Sequence, residues 1–199
     1  MSGKPSYPRL LPLACLALVI AAGPLVVGCA AGVIGATVGA GTLVAMDRRS
    51  TSIRASDQAI ESKVTKGAGD RWTSGVHLNV TSYDGKVLLT GEVPTAAIRD
   101  EIGQIAKSTE YVRGVTNELL IGPETALGAR TQDTYITTKV KTRLIEAGRF
   151  DANNVKVVTE RSVVYLMGLV SREEGDAAAE ITASTTDVAR VVKLFEYMD

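Results

Sequence analysis

The chain has 199 residues, and its 22 basic and 22 acidic side chains leave no formal net charge at pH 7. This balance excludes the broad positive field that nucleic-acid-binding proteins carry, so we expect no nucleic-acid partner. One histidine and two cysteines leave few candidates for a metal site, a disulfide framework or a nucleophile.

The first 28 residues have the layout of a bacterial export signal. Lys4 and Arg9 precede an apolar segment that ends at Gly28, directly before Cys29. The sequence from Leu25 to Cys29 resembles the lipobox of bacterial lipoproteins. We therefore expect residues 1–28 to be removed as a signal peptide and the Cys29 thiol to be acylated, palmitate included. The alternative is an uncleaved membrane helix with an incidental cysteine.

The residue after the predicted cleavage site bears on location. Many inner-membrane lipoproteins carry an aspartate there, whereas this chain has Ala30. We therefore expect a lipid anchor in the outer membrane, with the rest of the chain on its periplasmic face.

A small, apolar segment follows over residues 30–46. Gly35 and Gly39 have the spacing with which helices pack in membranes, and the segment reaches the short limit for a spanning helix. Two interpretations stay open: a spanning helix, or a tether over residues 29–52, which we favour. Arg48 and Arg49 mark the start of the water-exposed part.

The remainder of the chain contains one unit twice. Residues 57–64 match 133–140, residues 85–93 match 162–170, and residues 112–115 match 188–191. Matches in the same order at a nearly constant offset indicate two homologous domains. We place the first domain at 53–122, a linker at 123–130 and the second domain at 131–199.

Each unit predicts the order α-β-β-α-β. Helices are expected over 56–68, 95–108, 132–147 and 172–186. Strands are expected over 76–82, 86–93, 115–121, 155–159, 163–170 and 190–197. The fold class is therefore α+β, with a three-stranded mixed sheet packed by two helices in each domain.

Two local features of the repeat carry further expectations. Asp57 and Asp133 stand near the predicted helix starts, where they would be N-caps or first-turn acids. Asp84-Gly85 predicts a tight hairpin turn, whereas Arg161-Ser162 at the matching place lacks glycine, so we expect a different turn there.

The repeat resembles the BON domain of bacterial periplasmic and outer-membrane proteins. The resemblance depends on the strands 85–93 and 163–170, each with its glycine, and on Val115 and Val191 at the starts of the last strands. It implies two tandem BON domains without enzymatic activity or cofactor. It also implies binding of anionic phospholipids, such as phosphatidylglycerol and cardiolipin, through the first helix of the second domain. It further implies a role in outer-membrane integrity, enrichment at the division site and contact with the outer-membrane assembly machinery.

The first helix of the second domain has two distinct faces. Ile136, Val140, Leu144 and Ala147 share the predicted core face. We expect the lipid-contacting side chains on the other side to be Thr134, Tyr135, Thr138, Lys139, Lys141, Thr142 and Ile145. Tyrosine and isoleucine side chains can enter the membrane interface, and the lysines, together with Arg149, can meet lipid phosphates. Thr134 is expected in the first turn of the helix, where backbone N–H groups are free to bind a phosphate.

The first copy serves as an internal comparison. Its helix has Ala59 at the place of Tyr135 and Gly67 at the place of Arg143, so it offers no large apolar anchor. Lipid insertion is therefore assigned to the second domain. The alternative for the same residues is an ordinary solvated helix face.

Catalytic and metal sites are not expected. His77 lies in a predicted strand with no cysteine partner, and a single histidine forms no convincing catalytic triad. A second functional hypothesis remains beside lipid binding: an adaptor of the outer-membrane assembly machinery for which Cys29 alone supplies membrane contact. An unrecognised enzyme is a third hypothesis.

Overall fold

The computed structural model describes residues 48–198. The predicted signal peptide, Cys29 and the segment 30–46 lie outside the described residues. None of the helices within residues 48–198 combines the length and the apolar composition that crossing a membrane requires.

The described residues form two copies of the predicted α-β-β-α-β unit. The first copy consists of α1 (Thr51–Gly69), β1 (His77–Tyr83), β2 (Lys86–Val93), α2 (Ala96–Ser108), β3 (Gly114–Asn117) and β4 (Leu120–Ile121). The second consists of α3 (Leu127–Ala147), a 3-10 turn (Ala152–Asn154), β5 (Val155–Glu160), β6 (Val163–Val170), α4 (Arg172–Ala183) and β7 (Arg190–Tyr197). The predicted α+β fold is confirmed.

Both sheets have the hairpin's second strand in the centre. Strand β2 pairs antiparallel with β1 and parallel with β3 and β4, and β6 pairs antiparallel with β5 and parallel with β7. The prediction of one continuous strand over 115–121 is wrong, because the ladder breaks between β3 and β4. There the Asn117 side chain accepts the Leu119 backbone N–H at 3.2 Å.

Each sheet packs one face on its own two helices. In the second domain Ile136, Val140 and Leu144 are at most 1% exposed, which confirms the predicted core face. Ala147 is exposed, contrary to the prediction, because it is the last helical residue before Gly148, whose positive φ of 59° ends the helix.

The two aspartates of the repeat have a role that differs from the prediction. Helix α1 begins with Ser50 as its N-cap, and α3 begins at Leu127, inside the predicted linker, so neither aspartate lies in a first turn. Asp57 and Asp133 instead lie buried in the middle of their helices. Each carboxylate binds the hairpin turn of its own domain and so joins the helix to the sheet.

The contacts to the two turns are equivalent. Asp57 accepts the backbone N–H groups of Asp84 at 2.8 Å and Gly85 at 2.9 Å. Asp133 accepts those of Arg161 and Ser162, both at 2.8 Å.

The two hairpin turns are of the same type, and the expectation of different turns is wrong. Both central residues have positive φ in each turn: 51° and 72° at Asp84 and Gly85, and 51° and 62° at Arg161 and Ser162. This is the type I′ pattern that normally favours asparagine or glycine. In the second domain the two hydrogen bonds that Asp133 accepts offset the strain of a turn without glycine.

The second face of each sheet packs on the other domain. Tyr83 and Leu88 of the first domain join Tyr165 and Met167 of the second in one buried cluster. Ion pairs surround this cluster, among them Arg113–Glu196 at 2.8 Å and Lys156–Glu61 at 2.9 Å. Both faces of β2 and β6 are therefore buried, and the domains share a hydrophobic interface.

Candidate functional site

The outer face of α3 carries large apolar side chains in solvent. Tyr135 is 57% exposed and Ile145 is 68% exposed. Leu127, at the helix start, is 79% exposed. At 100° per residue, Leu127 and Ile145 point in the same direction, opposite to the core face. The apolar side chains thus extend over about 27 Å of helix, taking 1.5 Å for each residue.

Leu127 is a residue that sequence reasoning missed. It lies in the segment interpreted as linker, because the helix was predicted to start at 132. The helical spacing between Leu127 and Ile145 is the signal that would have found it.

Threonines fill the space between these apolar anchors. Thr134 and Thr138 are exposed, as expected, but each hydroxyl donates to a backbone carbonyl one turn earlier, that of Arg130 and of Thr134, both at 3.0 Å. Thr134 also lies two turns inside α3 rather than in the first turn, so the expected free N–H groups are not there. The hydroxyl oxygens remain acceptors. Thr142, the third expected threonine, is exposed as well.

The cations of the site differ in whether they already form an ion pair with a carboxylate. Lys139 lies 2.9 Å from the Asp187 carboxylate and 4.9 Å from the centre of the Tyr135 ring. Arg149 pairs with Glu180 at 2.7 Å. Both cations therefore have a carboxylate partner already, and each would exchange that partner for a phosphate on binding lipid.

Two other cations of this face have no carboxylate partner within the described residues. Lys141 is exposed and makes no ion pair with any residue in the described range. Arg143 donates to the hydroxyls of Thr185 and Ser184, at 2.9 and 3.1 Å, and meets no carboxylate there.

A cavity of about 290 Å³ opens beside the C-terminal half of this face. Arg49 and Tyr83 of the first domain and Lys141, Ile145 and Lys156 of the second contribute to its walls. The Arg49 guanidinium lies 3.8 Å from the centre of the Tyr83 ring and 2.9 Å from the Asp57 carboxylate. Sequence reasoning missed Arg49 and Lys156, because the cavity exists only where the two domains meet.

The first domain lacks a matching face. Ala59, at the position of Tyr135, is exposed, and Lys63 pairs with Glu110 at 3.3 Å. The asymmetry that the sequence indicated is therefore present in the structure.

The one histidine has partners of a kind that were not expected. His77, Glu92 and Glu160 each offer one ligand atom, and these three atoms lie within 4.8 Å of one another. The prediction considered only cysteine partners and so missed the two carboxylates. These are the described residues best suited to hold a metal ion.

Comparison with known proteins identifies the repeat. A family model described as "BON domain" matches residues 56–123 and 132–199. "Outer membrane lipoprotein DolP" of Haemophilus influenzae is 35% identical over 192 residues, which cover 96% of this chain and 99% of that protein. The predicted repeat of two BON domains is confirmed.

Two further relatives cover less of the chain. "21 kDa hemolysin" of Actinobacillus pleuropneumoniae is 32% identical over 155 residues, or 77% of this chain and 80% of that protein. "Osmotically-inducible protein Y" of Escherichia coli is 29% identical over 140 residues, or 69% and 70%. None of the three names describes an enzyme, and similarity to an outer-membrane lipoprotein along nearly the whole chain supports a function at the cell envelope. The chain belongs to the BON-domain family.

Proposed function

We propose that this protein is anchored through Cys29 in the outer membrane, faces the periplasm, and binds anionic phospholipids through helix α3. The observation that carries this proposal is the exposed face of α3 with Leu127, Tyr135 and Ile145. Large apolar side chains in solvent mark binding surfaces when they gather on one face.

The apolar anchors supply the part of binding that does not depend on lipid charge. Full burial of one leucine or isoleucine side chain contributes about 1.5–3 kcal/mol. Tyr135 suits the headgroup level, since its ring is apolar and its hydroxyl can remain hydrated. Insertion at both ends of the face would place α3 flat on the membrane surface.

The charge of α3 supplies the preference for anionic lipid. The helix carries four cations, Arg130, Lys139, Lys141 and Arg143, against two acids, of which Asp133 is buried and bound to its turn. Each cation close to an anionic surface contributes about 1 kcal/mol. Lys141 should contribute most of this, because it gives up no ion pair within the described residues when it meets a phosphate.

The two membrane contacts have different tasks. A lipid anchor at Cys29 would hold the protein at the membrane at all times, and α3 would then search a locally high concentration of headgroups. Weak binding by α3 is sufficient under these conditions to distinguish anionic from zwitterionic regions. We place the contribution to outer-membrane integrity, and enrichment at the division site, on this second contact.

A sedimentation assay with residues 47–199 tests the proposal. Both domain cores lie in this fragment, and it lacks Cys29, so only protein–lipid contacts are measured. We expect it to pellet with vesicles containing phosphatidylglycerol or cardiolipin and to remain in solution with phosphatidylcholine vesicles. Equal binding to both vesicle types, or binding to neither, contradicts the proposal.

The repeat provides a matched control variant. Tyr135→Glu should abolish pelleting, whereas Ala59→Glu puts the same charge at the equivalent exposed position of the first domain and should leave pelleting unchanged. Loss of pelleting in both variants would mean that acidic charge anywhere on the surface prevents binding.

The alternative is an adaptor of the outer-membrane assembly machinery that recognises no lipid beyond its anchor. Exposed apolar residues of the first domain, Tyr111, Leu120 and Ile121, are the observation in its favour. Crosslinking in cells distinguishes the two: unchanged protein partners in Tyr135→Glu, together with absent vesicle binding by the wild-type fragment, would favour the adaptor.

A further inference from the structure

The contact between the two domains contains a second cavity, of about 240 Å³. Strand β1 contributes His77 and Asn79, strand β5 contributes Thr159 and Glu160, and α3 contributes Arg130 and three neighbours. The cavity therefore has walls from both domains, and any ligand held in it would hold them together.

Two side chains with metal-binding groups, His77 and Glu160, line this cavity, and a third, Glu92, lies against His77. His77 and Glu92 are direct cross-strand partners in the first domain, and the His77 Nδ1 atom lies 3.0 Å from the Glu92 carboxylate. Asn79 connects the group to the second domain, since its amide lies 3.4 Å from His77 Nε2 and donates to Glu160 at 2.8 Å. All three ligand atoms lie within 4.8 Å of one another.

Gly91 makes this close approach possible. It precedes Glu92 with a φ of 118°, and a Cβ atom at this position would lie 2.0 Å from the carbonyl oxygen of His77. The backbones of β1 and β2 can thus come together beside the histidine.

Both carboxylates are buried, and they differ in the partners that they have. Glu92 is fully buried and Glu160 is 6% exposed. Glu92 accepts the Thr125 backbone N–H at 3.1 Å and also the Thr125 hydroxyl, and the Arg161 guanidinium lies 3.5 Å away. For Glu160 the structure shows a hydrogen bond from Asn79 and, within the described residues, no ion pair.

The other charged groups at the cavity, Asp133 and Arg130, already have partners of their own. Asp133 is engaged by two backbone N–H groups of the hairpin turn, and Arg130 pairs with Glu124 at 3.3 Å. Two buried carboxylates beside one imidazole thus form a site where a cation would lower the free energy of the folded protein.

The equivalent place in the repeat shows that the fold does not require these groups. At matching positions, Tyr83 takes the place of Glu160, and Asn154 and Leu169 take the places of His77 and Glu92. The Tyr83 hydroxyl lies 3.5 Å from the Asn154 carbonyl, so a neutral contact closes that side of the interface. The Tyr83 end of the interface therefore has no counterpart of the ligand set at the His77 end.

We propose that His77, Glu92 and Glu160 bind a divalent transition-metal ion, for which Zn²⁺ is the best match, and that this ion ties the two domains together. Imidazole nitrogen and carboxylate oxygen are both donors that zinc accepts, and three protein ligands leave a fourth position to water. Ligand atoms around zinc lie about 3.4 Å apart in a tetrahedral arrangement, so small side-chain rotations complete the site. Asn79 would orient both His77 and Glu160 from outside the ligand shell.

Zinc titration of the full chain in detergent tests the site, with a purification tag that contains no histidine. We expect one equivalent of Zn²⁺ to bind by calorimetry and to raise the unfolding temperature relative to protein in EDTA. His77→Gln and Glu160→Gln should each weaken binding at least about tenfold. Glu180→Gln changes an exposed glutamate of the second domain and should bind Zn²⁺ like the wild type. Unchanged affinity in both cavity variants overturns the proposal.

A measurement on the wild type does not depend on any variant folding. Because the chain has one histidine, its two imidazole nitrogens give two assignable signals in a long-range proton–nitrogen NMR spectrum. Addition of Zn²⁺ should shift the signal of the bound nitrogen by many linewidths. An imidazole spectrum that stays the same at saturating Zn²⁺ overturns the proposal.

Discussion

Arg48 donates two hydrogen bonds to the Glu174 carboxylate, at 2.7 and 2.8 Å, although the two residues are 126 positions apart. The same guanidinium also donates to the Leu169 carbonyl at 2.9 Å. Arg48 thereby binds the second domain, while Arg49 next to it binds Asp57 of the first. The basic pair that marks the start of the water-exposed part thus links the two domains to each other.

Arg48→Ala should lower the free energy of unfolding by about 1 kcal/mol at neutral pH, because a bidentate contact to a carboxylate is lost. The hydrogen bond from Arg48 holds the pKa of Glu174 below its usual value, partly against burial. A lowered pKa adds stability that is present above the ordinary value of 4.5 and is lost as the pH falls through the lowered value. Urea unfolding from pH 7 to pH 3 should show the variant and the wild type converging in acid, and a constant difference would contradict this role. Arg48→Lys keeps the charge without the fork geometry and should recover only part of the loss.

Glycine and serine can be exchanged between the equivalent positions of the two hairpin turns. Ser162→Gly should raise the free energy of unfolding by about 0.5 kcal/mol, since relief of a positive φ exceeds the added entropy of the unfolded chain. Gly85→Ser should lower it by about 2 kcal/mol, because a Cβ atom there would lie 2.6 Å from the Tyr111 carbonyl oxygen. Urea denaturation of both variants at the same pH gives the comparison. A loss at Gly85→Ser no larger than the gain at Ser162→Gly would show that the contact with Tyr111 adds no cost.

Periodicity and the repeat were sufficient to predict most elements of this fold. Apolar spacing placed Ile136, Val140 and Leu144 in the core, because helical burial is a local pattern that one segment carries by itself. The asymmetry between Tyr135 and Ala59 was equally visible, since the two copies can be aligned residue by residue. The exposed face of α3 was therefore predictable apart from Leu127, which required the true helix start.

Contacts between the domains were not predictable in the same way. Arg48 meets Glu174, and Asn79 meets Glu160 at a separation of 81 residues, because two sheets bury their second faces on each other. No local pattern in either segment specifies which side chains will face one another there. The position of Glu160 near His77 was missed for this reason. Lys139 and Asp187 both belong to the second domain, but they lie 48 positions apart, so the helical spacing gave no sign of their contact.

Tyr165 offers an alkaline test of the domain interface. It is 4% exposed, its hydroxyl donates to Glu118 at 3.3 Å, and burial raises its pKa to about 12. A raised tyrosine pKa means that stability is complete below the ordinary value of 10 and is lost as the pH rises towards 12. Tyr165→Phe cannot ionise, so between pH 8 and 11.5 it should lose about 2 kcal/mol less stability than the wild type. Parallel stability curves for the two proteins would place the phenol in contact with water.

Leu127 provides a test of the lipid face that the sequence alone did not suggest. If α3 lies flat on the membrane, Leu127 and Ile145 enter it at opposite ends, and loss of either anchor should weaken binding. Leu127→Glu should reduce pelleting with phosphatidylglycerol vesicles by at least tenfold, since lost burial of about 1.5–3 kcal/mol adds to the repulsion of the new charge. Leu120→Glu is the matched control, because Leu120 is 47% exposed on the first domain, outside α3. Reduced pelleting by Leu120→Glu and normal pelleting by Leu127→Glu would move the membrane contact from α3 to the first domain.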